Sequence, residues 1–244
     1  MLKNIFIIIF FVFSTSIVSQ NISAEVQYSC SVHNNPFANE LANKKKMDTT
    51  AQHIKDAHKK FIELAVPISY TLKFNTTASS FEKNITMTND ANSGFNITEA
   101  MGATGVIYTN LVTHLRVNTL KSEGGTLIIK GDINDTKWKL TKIAKQIGNQ
   151  HCFKATTEYK YMAGKNGDQL IVQPVTAWYT LDIPVGFGPA GYGNLPGLII
   201  NLEIGDIIYQ MTDLKLNTKK DTVIKTPKLK GRIITESEYN GLSN

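Results

Sequence analysis

Apolar and polar positions alternate along most of this chain, and one segment breaks the rhythm with a helical period. Residues Glu25-Val26-Gln27-Tyr28-Ser29-Cys30-Ser31-Val32 send successive side chains to opposite faces, as a half-buried strand does. The runs 68–74 and 80–87 repeat the pattern, and further strands are expected at 105–109, 111–119, 126–132, 136–143, 151–160, 169–179, 198–203, 206–215 and 222–230. Turn-forming clusters separate them, among them Asn92-Ser93-Gly94, Glu123-Gly124-Gly125 and Gly164-Lys165-Asn166-Gly167-Asp168. Such short separators favour antiparallel hairpins over parallel crossovers. The exception lies at 50–65. Thr49 and Thr50 offer N-cap hydroxyls, Ile54, Ala57, Phe61 and Ile62 share one helical face, and Pro67 stops the helix. The pattern predicts a mainly β protein: a large bent antiparallel sheet, a half-barrel or bowl, with one amphipathic helix near its open side. No internal repeat and no Pro-, Gly- or Ser-rich linker divides it, so residues 20–244 read as one domain.

Two of the strand-like runs, 175–180 and 198–202, are joined through a stretch dominated by backbone specialists. Residues 186–197 hold five glycines and two prolines, a density that implies positive φ or close backbone approach at several places. Pro196-Gly197 suits the central positions of a type II turn, with positive φ at Gly197 and with Leu195 and Leu198 anchoring the turn in apolar surface. Trp178 and Tyr179 must face opposite ways. With Phe187 and Tyr192 they either line a pocket for an apolar or carbohydrate ligand or pack the loop onto the sheet.

Composition sets the compartment. Met1-Leu2-Lys3-Asn4 is a short basic start, Ile5 to Phe13 is unbroken apolar, and small residues follow, which reads as a signal peptide over 1–19. Cleavage is expected after Ser19, with Ala24 as the alternative, and no transmembrane span is expected after the leader is removed, since the apolar run is about half the ~20 residues a bilayer needs. Losing Lys3 leaves 25 basic residues of the original 26 against 20 acidic ones, a mild excess concentrated in Lys215, Lys219, Lys220, Lys225, Lys228, Lys230 and Arg232. That tail suits a solvated strand edge. Nucleic acid is not an expected partner, because no aromatic platform accompanies the charge. Cys30 and Cys152 form an even pair in an oxidising compartment. They are either bridged, closing a long loop worth up to about 4–5 kcal/mol, or two buried free thiols.

Local signatures of chemistry are missing. Gly186-x-Gly188-x-x-Gly191 has the letters of a dinucleotide fingerprint, yet Gly193, Pro196 and Gly197 rule out the helix that would hold a pyrophosphate. His53 and His58 diverge around a helix, and His151 and Cys152 point to opposite faces of a strand, so no metal or other cofactor is expected. There is no Gly-x-Ser-x-Gly elbow and no His-Glu-x-x-His helix. Asp182 and Glu203, flanking the glycine-rich loop, are the pair to inspect for glycosidase chemistry.

Asn194-Leu195-Pro196-Gly197-Leu198-Ile199 resembles the signature of the GLPGLI family of exported Bacteroidetes proteins, with asparagine in place of the first glycine. Trp138-Lys139-Leu140, Lys145-Gln146-Ile147-Gly148 and Cys152-Phe153-Lys154-Ala155-Thr156 resemble its mid-chain pattern. Thr176-Ala177-Trp178-Tyr179-Thr180, Ile183-Pro184 and Gly188-Pro189 resemble the approach to the signature. The resemblance covers roughly 68–203 and implies a signal peptide, a periplasmic or cell-envelope location with secretion as the lesser option, and a β-rich fold. It is similar, more distantly, to bowl-shaped β domains that precede catalytic domains in some bacterial glycan-processing enzymes. It transfers no catalytic residue. Asparagine at 194 tolerates a left-handed backbone better than most residues.

These readings converge on an exported envelope protein whose β domain binds or scaffolds a partner protein or an apolar ligand without catalysis. Two alternatives stand beside it: a hydrolase acting on envelope or host glycans, and a periplasmic carrier of hydrophobic cargo.

Overall fold

A computed structural model describes residues 22–33, 49–85, 94–216 and 223–241, with 49–52 described by their backbone only. The expected leader 1–19 and the side chains of Thr49 and Thr50 lie outside the described residues. In chain order the elements are β1 (Ala24–Val32), α1 (Thr49–Leu64), β2 (Ile68–Phe74), β3 (Ala78–Lys83), α2 (Ile97–Met101), β4 (Val106–Asn110), β5 (Leu115–Ser122) and β6 (Gly125–Asp132). They continue with β7 (Lys139–Ile147), β8 (Gln150–Ala163), β9 (Gln169–Thr180), β10 (Leu198–Ile204), β11 (Ile207–Leu216), β12 (Arg232–Thr235) and α3 (Glu236–Tyr239).

All twelve strands join one sheet in the order β12-β6-β5-β4-β3-β2-β1-β11-β10-β9-β8-β7. The mainly antiparallel, mainly β architecture expected from alternation is what the chain adopts, as an open sheet. The exception is β12, which runs parallel to β6 with Arg232 opposite Leu127. The strand expected at 222–230 does not form; residues 223–230 carry no strand. Pro227 removes a ladder donor in the middle of that stretch. Pairing begins after Gly231, whose φ of 148° brings the chain so close to Thr126 that a Cβ would lie 2.2 Å from its carbonyl oxygen. The run expected at 80–87 pairs only from 78 to 83, and residues 86 and 87 lie outside the described set.

The core gathers around β1, β2, β3, β9, β10 and β11. Val26, Tyr28 and Cys30 alternate inward from β1, and Leu72 and Phe74 from β2. Tyr70 stacks on Phe81 at 4.9 Å between ring centroids, with Tyr209 edge-on at 5.5 Å from Tyr70. In β10 the positions Leu198, Ile199, Ile200, Asn201 and Leu202 are all buried, so both faces of this strand are covered. Gly188 lies against the Ile199 side chain, and Phe187 packs 5.7 Å from Phe74. A bulge between Ile199 and Asn201 shifts the β9–β10 register, and the Tyr28 hydroxyl donates to the Ile199 carbonyl at 2.6 Å. Each fully buried side chain of this kind contributes about 1.5–3 kcal/mol by removal from water.

Three α-helices and two short 3-10 turns, Ile133–Asp135 and Pro189–Gly191, occur among the described residues, where one helix was expected. α1 packs against α2, and Asn96, the N-cap of α2, donates its amide to the Val66 carbonyl at 3.0 Å. Ile54 is buried, but Ile62 is 58% exposed, so the packed face of α1 is narrower than its apolar spacing predicts.

Candidate functional site: a cavity inside the bent sheet

Strands far apart in the sheet order line one cavity of about 1240 Å³. Ile107 of β4, Arg116 and Asn118 of β5 and Ile129 of β6 face it from one side, and Tyr159 and Tyr161 of β8 and Val172 of β9 from the other. Ile204, Ile207 and Tyr209 of the central strands lie between. Only a strongly bent sheet brings β5 and β8 to a common space, because seven strands separate them in the ladder.

The C-terminal residues span the gap. Thr235 caps α3, accepting from the Glu238 N–H at 3.1 Å, while the Glu238 carboxylate accepts the Thr235 N–H at 2.6 Å. The Thr235 N–H and hydroxyl, both donating to that carboxylate, hold it below the usual carboxylate range. The turn aims Glu236 at β5, where the Arg116 Nε donates to it at 2.5 Å and Nη2 pairs with its second oxygen. Gly131 of β6 leaves room for that carboxylate, since a Cβ there would meet the Glu236 Cδ at 2.2 Å. At the other end Asn240 accepts the Met162 N–H at 2.8 Å and the Tyr159 hydroxyl at 3.0 Å. The last described residues therefore form a strap from one rim of the bowl to the other.

The glycine-rich loop meets the same space from below. Gly191, at φ 76°, lies so close to Arg116 and Ile107 that a Cβ would be 2.8 Å from each. Its carbonyl accepts from Arg116 Nη1 at 3.2 Å. Tyr192 lines the cavity, and burial pushes its hydroxyl far above the ordinary tyrosine range. Its ring stands edge-on to Trp138 at 6.1 Å, and Trp138 Nε1 donates to the Gly193 carbonyl at 2.8 Å.

The type II turn expected at Pro196-Gly197 does not occur, because Gly197 has no positive φ. Left-handed backbone falls instead on Ala190 (φ 54°), Gly191 (φ 76°) and Asn194 (φ 61°). Gly197 answers to space: a Cβ would lie 1.8 Å from the Thr180 carbonyl oxygen. Leu195, Leu198 and Ile199 are buried, and so is Pro189, while Gly188 sits against the Ile199 side chain. Asn194 donates its amide to Asn134 Oδ1 at 3.0 Å, and Pro196 lines a shallow recess with Trp138 and Leu140.

Trp178 and Tyr179 are both buried, and neither lines the large cavity. The Lys145 ammonium lies 4.0 Å from the centroid of the Trp178 ring, and Tyr179 packs 6.1 Å from Phe153. The bridge weighed between Cys30 and Cys152 is absent. Both thiols are free and buried, since Cys30 is on β1 and Cys152 on β8, with β11, β10 and β9 between them. Burial pushes both thiols up to about 11.

Asp182 and Glu203 are not brought together. Glu203 is opposite Thr176 in the β9–β10 ladder. Asp182 lies beyond Thr180, a strand end already about 13 Å from Thr176 at ~3.3 Å per residue. That exceeds the ~5–10 Å between working glycosidase carboxyls. Among the described residues no three His, Cys, Asp or Glu side chains are grouped to hold a metal. The cavity residues Arg116, Asn118, Tyr159, Glu236 and Asn240 carry no sequence signature, because a bend and a C-terminal return assemble them.

A family described as "Protein of unknown function (Porph_ging)" matches residues 165–201, the β8–β9 turn through the glycine-rich loop. No curated protein matches. Two solved structures of PNGF-II are similar in fold. The C2 crystal form aligns over 91% of this chain at 14% identity with a TM-score of 0.50, and the P21 form over 90% at 14% and 0.47. This chain spans 32% of the length of those proteins, about a third. The likeness is one of fold, and the family match one of a short segment whose family has no assigned function.

Proposed function

We propose that this is an exported protein of the periplasm or cell envelope whose bent sheet is a non-catalytic binding domain for an apolar ligand. The observation that carries this reading is the 1240 Å³ cavity, in which Ile107, Ile129, Val172, Ile204, Ile207 and a group of tyrosines form the apolar part of a wall that also holds polar and charged side chains. Ligand sites in proteins are concave, mainly apolar and furnished with a few fixed polar groups, and drug-sized ones occupy about 300–1000 Å³. The order of motifs ending in Asn194–Ile199 supports membership of the GLPGLI group, and the short family match is in keeping with it. Export rests on the leader-like residues 1–19. No helix among the described residues is long and apolar enough to cross a membrane.

Native mass spectrometry of protein purified from its own host is the test. A co-purifying lipid or other apolar molecule, lost when Ile129 and Ile207 are both changed to Asn, is the expected result. Protein that emerges ligand-free and takes up no apolar probe would end this reading.

A further inference from the structure

We propose that the C-terminal strap, Arg232–Gly241, is a displaceable latch, and that the cavity takes an amphiphile whose carboxylate replaces Glu236 on Arg116. The proposal rests on the binding reading above and adds the ligand's chemical class and its gate.

Arg116 is the starting point. Its side chain is only 13% exposed and lines the cavity, and a guanidinium in that setting needs a carboxylate partner. The sheet does not supply the bidentate partner. Glu236 does, from a four-residue helix that has no buried residue. The fork geometry that Arg116 presents to Glu236 is the one a free carboxylate would accept.

The latch has few attachments. β12 contributes four residues of parallel pairing to β6, and beyond Glu236 the far end is held by Asn240 on Met162 and Tyr159. Release therefore breaks a short set of bonds and opens one wall of the cavity, formed by Glu236, Tyr239 and Asn240.

A second polar group waits beside Arg116. Asn118 follows two residues later on the same face of β5, and its buried Oδ1 has no hydrogen-bond partner among the described residues. Turning that amide over presents an N–H₂ to an oxygen of an incoming carboxylate. The remaining lining is mixed: the isoleucines, Val172 and the tyrosines give apolar surface, while Lys137, Lys139 and Lys160 add charge. The cavity volume exceeds the ~1000 Å³ upper range of drug-sized sites, so a long chain fits behind the head group.

The experiment is calorimetric titration of the mature protein with dodecanoate, 1-dodecanol and acetate, with amide exchange followed across 232–241. Dodecanoate is expected to bind at least tenfold tighter than dodecanol and to raise exchange throughout 232–241. Glu236→Gln is expected to strengthen dodecanoate binding at least fivefold more than dodecanol binding, and Arg116→Met to erase the preference for the acid. The exchange measurement on the unaltered protein decides the matter if Arg116→Met does not fold. Equal binding of acid and alcohol, or exchange in 232–241 that stays level or falls, refutes the latch and leaves the apolar cavity reading standing. Acetate binding as tightly as dodecanoate also refutes it, reducing Arg116 to a simple anion site. Failure of both long-chain probes removes the latch and the binding reading together.

Discussion

Adding one carbon at Gly197 should unseat the junction between β9 and β10. In Gly197→Ala the new methyl would lie 1.8 Å from the Thr180 oxygen, 2.7 Å from its carbonyl carbon and 3.3 Å from the Leu181 Cα. All three are backbone atoms, so no rotamer change relieves the overlap, and the strands must part by more than 1 Å to reach ordinary contact. That junction holds the Leu198–Thr180 pair and the Leu198 N–H to Ile183 carbonyl bond at 3.0 Å. Opening it loses about one or two hydrogen bonds at ~1 kcal/mol each. It also partly exposes Leu195 and Leu198, buried side chains worth about 1.5–3 kcal/mol apiece. The expected loss is about 3–5 kcal/mol, a large share of the ~5–15 kcal/mol that stabilises a domain. At ~2–4 °C per kcal/mol for a chain of this size, the thermal midpoint should fall by roughly 10 °C. Gly124→Ala is the control, because the nearest atom there, Ser122 Oγ, is 3.8 Å away. A Gly197→Ala melt within about 2 °C of the parent would refute the reasoning.

Other positions separate conformation from contact. Asn194→Val should cost about 2 kcal/mol in urea unfolding, because a β-branched residue is forced to φ near 61°, whereas Asn194→Gly should stay within ~1 kcal/mol. Tyr28→Phe strips the Ile199 carbonyl of a buried donor at 2.6 Å and should cost about 1–3 kcal/mol in the same assay. Cys30 and Cys152 hold their protons up to about 11, against an ordinary 9.0, so folding favours the protonated thiols. That stabilisation is complete below pH 9 and is lost as pH rises toward 11, at up to ~1.4 kcal/mol per pH unit per thiol. Urea midpoints should therefore fall between pH 9 and 11 and fall less steeply in a Cys30→Ala, Cys152→Ala protein. A thiol reagent at pH 8 should label neither cysteine until denaturant is added.

Period-two alternation made the strands legible because it depends on neighbours in sequence. Ile68–Phe74 and Val26–Cys30 face the core as their spacing dictates. The same logic erred where tertiary demands replaced local ones. Pro196-Gly197 carries the letters of a type II turn, yet Gly197 is small because Thr180 passes beside it, and positive φ moved to residues 190, 191 and 194. Residues 223–230 look strand-like in composition, but Pro227 delays pairing until 232, and then in parallel sense. The even cysteine count left a bridge and two buried thiols as alternatives, and the side chains are free thiols on β1 and β8.

The glycine-rich loop and the cavity turn out to be one construction. Gly191 must lack a side chain for the loop to descend onto Arg116, and its carbonyl then helps fix the guanidinium that the strap engages. A loop that serves only to join two strands has no reason to contact β5, which lies six places from β10 in the sheet. This one contacts it at the single arginine in the cavity wall. A substitution at Gly191 should therefore disturb the Arg116–Glu236 pair as well as the fold, and the matched segment 165–201, which supplies Val172 and Tyr192 to the cavity wall, also carries the glycine against which Arg116 is seated.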